Sequence, residues 1–209
     1  MKHGFDFDPL LDSDLDQRFG ITLLIRPDHE AKASIQEFLT EVRKADPVQY
    51  FYPNSDIHVT VMPIISCYEG FKVKNIKIGE YIQLLKGCLK NIPSFKIHFC
   101  GITASTSCLM VKGFPSDPTL ENIRNRLRGA FSQADLEQSL DKRYPLQTAH
   151  STVVRFREKV MDPSKIMHLM DQWKDHDFGT FQVSSLELVF NDWYQKEAKV
   201  EPLFTFNLG

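Results

Sequence analysis

Two four-residue segments constrain this chain more than any other feature: His58-Val59-Thr60-Val61 and His150-Ser151-Thr152-Val153, 150 − 58 = 92 residues apart in a sequence of 209. With 7 histidines and ten threonines, chance gives about 0.3 His-x-Thr triplets, so two copies that both end in Val stand out. Both lie in stretches rich in β-branched residues, which read as strands. Side chains at i and i+2 of a strand share a face. His58 therefore projects with Thr60, and His150 with Thr152, while Val59, Val61 and Val153 pack behind them.

The surroundings of the two segments repeat as well. An apolar run at 19–25 reads as a buried strand, and Pro27-Asp28 ends it and opens a helix carried to Ala45 by Ile35, Phe38, Leu39 and Val42. A turn cluster, Pro53-Asn54-Ser55-Asp56, precedes the first motif strand, which Pro63 is expected to break. A helix over 78–91 follows, then two strands joined near Ser105. The pattern restarts with a helix over 118–134, on which Leu120, Ile123, Leu127 and Phe131 align. The second motif strand, a helix over 163–173 and strands at 181–190 and 201–208 close the chain. Helix, motif strand, helix, strand pair thus occurs twice. Two such halves about a pseudo-two-fold axis would turn both His-x-Thr units toward one cleft.

Two imidazoles facing each other suit displacement at phosphorus. The attacking and leaving oxygens lie on opposite sides, so one imidazole takes a proton while the other gives one. An unperturbed pKa of about 6.5 lets histidine do either near neutrality. The threonine hydroxyls, or a protonated imidazole, would stabilise charge on the nonbridging oxygens.

Composition narrows the field. A formal charge of −2 argues against a broad grip on long nucleic acid and points to a local hold on one end or one nucleotide. The acidic N-terminus shows no secretory leader, no apolar run is long enough for a membrane span, and the expected location is cytoplasmic. Cys67, Cys88, Cys100 and Cys108 lack zinc spacing and read as reduced thiols. Asp56-x-His58 imitates the opening of a two-metal phosphoesterase motif, but the further Asp, Asn and His ligands of such sites do not follow. No metal and no cofactor is expected. A P-loop and a nucleophile elbow are also missing. Residues 1–18, rich in aspartate, read as an acidic N-terminal arm, and 19–209 as one bilobal domain.

The paired motifs in this element order resemble the two-histidine (2H) phosphoesterase superfamily, which includes the bacterial 2′-5′ RNA ligase-like proteins and cyclic phosphodiesterases. The resemblance extends from about residue 19 to residue 208. It implies an α+β fold of two pseudo-symmetric lobes, whose antiparallel sheets are flanked by helices around a central groove. It also implies metal-free action on 2′,3′-cyclic phosphates or 2′-5′ linkages at nucleotide or RNA ends, with ligation as the reverse reaction. Carried over by position, the catalytic residues are His58, Thr60, His150 and Thr152. For a cyclic phosphate opened to a 2′-phosphate, His150 is assigned as base for water and His58 as acid. Ser151 stands where many members carry an aliphatic residue, and its side chain should point away from the cleft. The rival reading is a non-catalytic module that binds a nucleotide or RNA end on the same scaffold.

Three further residues are candidates for binding substrate. Arg155 lies three past Thr152, on the opposite face of a regular strand; it reaches a phosphate only from a bulge or the strand end, and is otherwise a surface ion-pair partner. Tyr52, with Phe51, either stacks on a base or packs at the rim. Tyr194 follows the strand ending near Phe190, where similar proteins place an aromatic residue beside the groove.

Overall fold

The chain's computed structural model describes residues 5–142 and 145–209. Its first strand, β1 (Arg18–Ile25), is buried from Gly20 onward, as befits a strand covered on both faces. Helix α1 (His29–Ala45) starts where the Asp28 carboxylate accepts the Ala31 N–H at 2.9 Å. It buries Ile35, Phe38, Leu39 and Val42 at helical spacing. There follow β2 (Tyr50–Phe51), β3 (Val59–Glu69), α2 (Ile78–Leu89), β4 (Phe95–Ala104), β5 (Cys108–Pro115) and α3 (Thr119–Gln133). The chain continues with β6 (Ala149–Arg155), α4 (Pro163–Gln172), β7 (Asp177–Val183), β8 (Ser185–Asp192) and β9 (Glu201–Asn207).

The strands form two antiparallel sheets, a four-stranded one in the order β3-β1-β8-β9 and a five-stranded one in the order β2-β6-β5-β4-β7. The expected α+β class with helix-flanked antiparallel sheets is what the chain adopts. Helices cross between the sheets. α1 follows β1 yet packs on β7 and β6 of the other sheet, alongside α4; α3 follows β5 yet packs on β3 and α2. One continuous cluster of apolar side chains runs through both halves.

Two sequence expectations need correction. Pro63 does not break its strand: β3 runs eleven residues through it, with Pro63 opposite Thr22. β3 is an edge strand and its register with β1 shifts on both sides of this pair, and edges and bulges are where a strand tolerates a residue without an N–H. The stretch 181–190 is two strands and not one. It breaks at Ser184, and β7 and β8 enter different sheets.

Residues 5–17 lie against the body. Leu11 is buried, and its carbonyl accepts from Lys196 Nζ. Arg18 donates to the carboxylates of Asp8 and Asp16, each at 2.8 Å, and Arg157 donates to Asp12 at 2.9 Å. The acidic residues thus face arginines at the start of β1 and just past β6.

Candidate active site

β3 and β6 belong to different sheets and face each other across a cleft of about 540 Å³. His58, Thr60, His150 and Thr152 all line it. The paired-motif expectation placed these four side chains around one space, and the structure brings them together there. His58 stands one residue ahead of β3, so the turn before it, and not strand pairing, aims its ring. The Asp56 N–H bonds the Pro53 carbonyl at 3.0 Å, and the Asp56 carbonyl accepts the His58 Nδ1–H at 2.7 Å. That bond leaves Nε2 as the reactive nitrogen. The buried Asp56 carboxylate accepts from Ser55 Oγ and from the Glu197 N–H. It therefore holds the turn.

His150 sits within β6, opposite Lys112 of β5. Its Nδ1 is 2.9 Å from Thr148 Oγ1, and a hydroxyl can serve either tautomer of the ring. Just before it, Gly113 lies so close to Ala149 that a side chain there would collide with the Ala149 carbonyl. Ser151 is fully buried behind the motif, as expected. Burial pushes the His58 imidazole down to about 4, and the positive charges of Arg26 and Arg155 add to the shift. His150 is lowered too, by burial and then by the Arg124 guanidinium.

Arg155 reaches the cleft through a bulge. Val154 pairs with Leu109 and Thr152 with Met110, leaving Val153 as an extra residue. Val153 and Val154 are both buried, and the slip returns Arg155 to the face of Thr152, where it lines the cavity. Tyr52 lines the cavity as well but is 2% exposed, too little for a base to stack on. Its hydroxyl accepts the Arg155 Nε–H at 3.2 Å, so it holds the arginine in place. Phe51 points elsewhere, under the Arg43 guanidinium. Tyr194 is not on the cavity wall. It is buried behind it, with the Arg155 guanidinium 5.5 Å from its ring centre and its hydroxyl 3.1 Å from Arg18. Its neighbour Trp193 forms the wall.

The sequence reading overlooked three features. Trp193 was hidden by the tyrosine beside it. Asn191 and Gln195 join it on the wall from the end of β8 and the following loop. Arg124 is the third, and its signal was present: a charged residue set within the apolar face that Leu120, Ile123, Leu127 and Phe131 define on α3. Among the described residues no group of three or more His, Cys, Asp or Glu side chains could hold a metal ion, and no helix is long and apolar enough to cross a membrane.

Comparison with known proteins agrees with this fold. The family described as "AKAP7 2'5' RNA ligase-like domain" matches residues 24–199. E. coli LigT, in a crystal structure with 3′-AMP, superposes with a TM-score of 0.60 at 16% identity, covering 92% of this chain and 98% of its own. TT0787 of Thermus thermophilus gives a TM-score of 0.59 at 14% identity, covering 90% of this chain and 97% of its own. A conserved protein of unknown function from Agrobacterium tumefaciens, ATU0111, gives 0.60 at 14% identity, covering 97% and 94%. At such identities the likeness is one of fold. No curated protein sequence matches the chain.

Proposed function

Because the chain belongs to the 2′-5′ RNA ligase-like family of two-histidine phosphoesterases, we propose that it is a metal-independent phosphodiesterase acting on 2′,3′-cyclic phosphate or 2′-5′ linked ends of nucleotides or RNA. The observation that carries this reading is the convergence of two imidazoles and two threonine hydroxyls, from motif segments that feed different sheets, on one cleft. Nucleotide as the ligand class is supported by the 3′-AMP bound to E. coli LigT and by a cavity far larger than a phosphate needs.

In hydrolysis of a cyclic phosphate, water attacks phosphorus while the bond to one ribose oxygen breaks. One histidine takes the water proton and the other protonates the departing oxygen. The local geometry favours the reverse of the roles assigned from sequence. His58 presents an unprotonated Nε2, because Asp56 holds the proton on Nδ1 and burial keeps the ring neutral; it is the base. His150 is then the acid, and the anionic substrate raises its affinity for a proton on binding. Thr60, Thr152 and Arg155 line the same cavity, where their donors would stabilise charge on the nonbridging oxygens.

The test is turnover of 2′,3′-cyclic nucleotides and a short cyclic-phosphate-ended RNA in excess EDTA. His58→Ala and His150→Ala are each expected to lower kcat at least about a hundredfold. The free-enzyme groups set the pH profile of kcat/KM. It should rise through about pH 4 as His58 loses its proton and fall before about pH 6.5 as His150 loses its own. Turnover that requires added metal, or that survives both substitutions, would sink the reading. Nucleotide binding without turnover at any pH would make the protein a binding module.

A further inference from the structure

Arg124 is the largest of the fully buried side chains, 2% exposed. It reaches from α3 into the space between the two motif strands. Nε donates to the Val61 carbonyl at 3.0 Å, and Nη2 donates to the carbonyls of Thr60 and Thr148, each at 3.0 Å. None of these acceptors is a carboxylate. Thr60 is the threonine of the first motif, and Thr148 holds the His150 ring through its hydroxyl. A buried charge that is hydrogen-bonded to no carboxylate is costly, and burial depresses this guanidinium to about 10. An apolar side chain would fill the same position on the helix without that cost. The three carbonyls belong to both halves of the site, and a planar fork of donors suits them as an ammonium does not.

We propose that Arg124 is a positioning residue, whose guanidinium fixes the first His-x-Thr unit against the second and places a permanent positive charge beside His150. It touches neither substrate nor reacting atoms. The role rests on the two-histidine reading of the cleft. Among the described residues, the other charged groups lining the cavity with His150 are His58 across the cleft, Arg155 further along β6, and Asp141 and Lys142. Lys112 lies opposite on β5, with its Nζ drawn away to the Lys174 carbonyl. One turn along α3, Arg128 is paired with Asp141 and donates to the Leu146 carbonyl, which anchors the loop edge of the same cavity. Arg124 is thus the cation that holds His150 down, while burial, and then Arg26, His150 and Arg155, hold His58 down.

That asymmetry gives a test independent of turnover. Histidine titrations by NMR on the substrate-free protein would compare the wild type with Arg124→Met and Arg124→Lys. In Arg124→Met the His150 midpoint should rise by roughly half a pH unit or more as the neighbouring cation is lost, and His58 should move less. In Arg124→Lys the charge stays, so both midpoints should stay. Turnover adds the geometric half: kcat should fall at least about tenfold in both variants while KM changes less than about threefold. An unmoved His150 midpoint in folded Arg124→Met overturns the electrostatic role. An unchanged kcat in folded Arg124→Lys overturns the positioning role. Should Arg124→Met not fold, Arg124→Gln takes its place in the same comparison. If the wild type shows no phosphodiesterase activity, the function proposed above fails while the titrations still judge the charge beside His150.

Discussion

At the scale of single residues, His58 makes stability depend on pH in a direction fixed by its burial. Its folded-state pKa lies near 4, below the 6.5 or so of an unfolded chain. The unfolded chain therefore takes up the proton first. This contribution to stability is complete above about pH 6.5 and is lost as pH falls through the window down to about 4, by at most about 3 kcal/mol. His58→Gln has no such group to protonate. Its melting temperature should fall less than that of the wild type between pH 7 and pH 4.5, and parallel curves would contradict the burial of the ring. The same residue shows how function and stability meet: a group held neutral by its surroundings is a base ready at low pH.

At the scale of elements, the bulge at Val153 decides which face Arg155 serves. A regular strand would point it to the side of Val153, which is buried, and away from the cleft. The extra residue turns it into the cleft, and the Tyr52 hydroxyl steadies it there. Arg155→Met should accordingly raise KM for a cyclic nucleotide at least about tenfold, with a smaller effect on kcat, because it removes a charge that meets substrate and transition state alike. A variant with unchanged KM would return Arg155 to the role of a structural ion. Edge position does similar work for Pro63, whose missing N–H is harmless where a strand has one partner only.

At the scale of the molecule, the helices that cross from sheet to sheet tie the two sides of the cleft into one apolar cluster. The four-stranded sheet takes its strands from both ends of the chain, β1 and β3 from the first third and β8 and β9 from the last quarter. Neither side has a core of its own to fall back on. Thermal or urea unfolding should therefore be one transition, superimposable when followed by far-UV and near-UV circular dichroism. Two separated transitions would mean that the sheets unfold independently.

Much of this protein was legible before any coordinates. Hydrophobic period placed α1, α3 and β1 within a residue or two, because each must bury one face or both against a neighbour whatever that neighbour is. The pairing of His150 with Thr152 followed from strand alternation, a property of the local backbone, whereas His58 joins Thr60 through the turn that precedes β3. What the sequence left open depended on which strand lay beside which. The split at Ser184 was hidden because β7 and β8 are both apolar-alternating, and only their separate sheets distinguish them. The bulge at Val153 exists only relative to its partner strand. The work of Arg124 lies in three carbonyls, one of them 24 residues away along the chain and the others more than 60. Local pattern specifies what a segment buries; the register and hydrogen-bond partners of the assembled sheets decide what each buried or half-buried polar group meets, and in this cleft those partners set the chemistry.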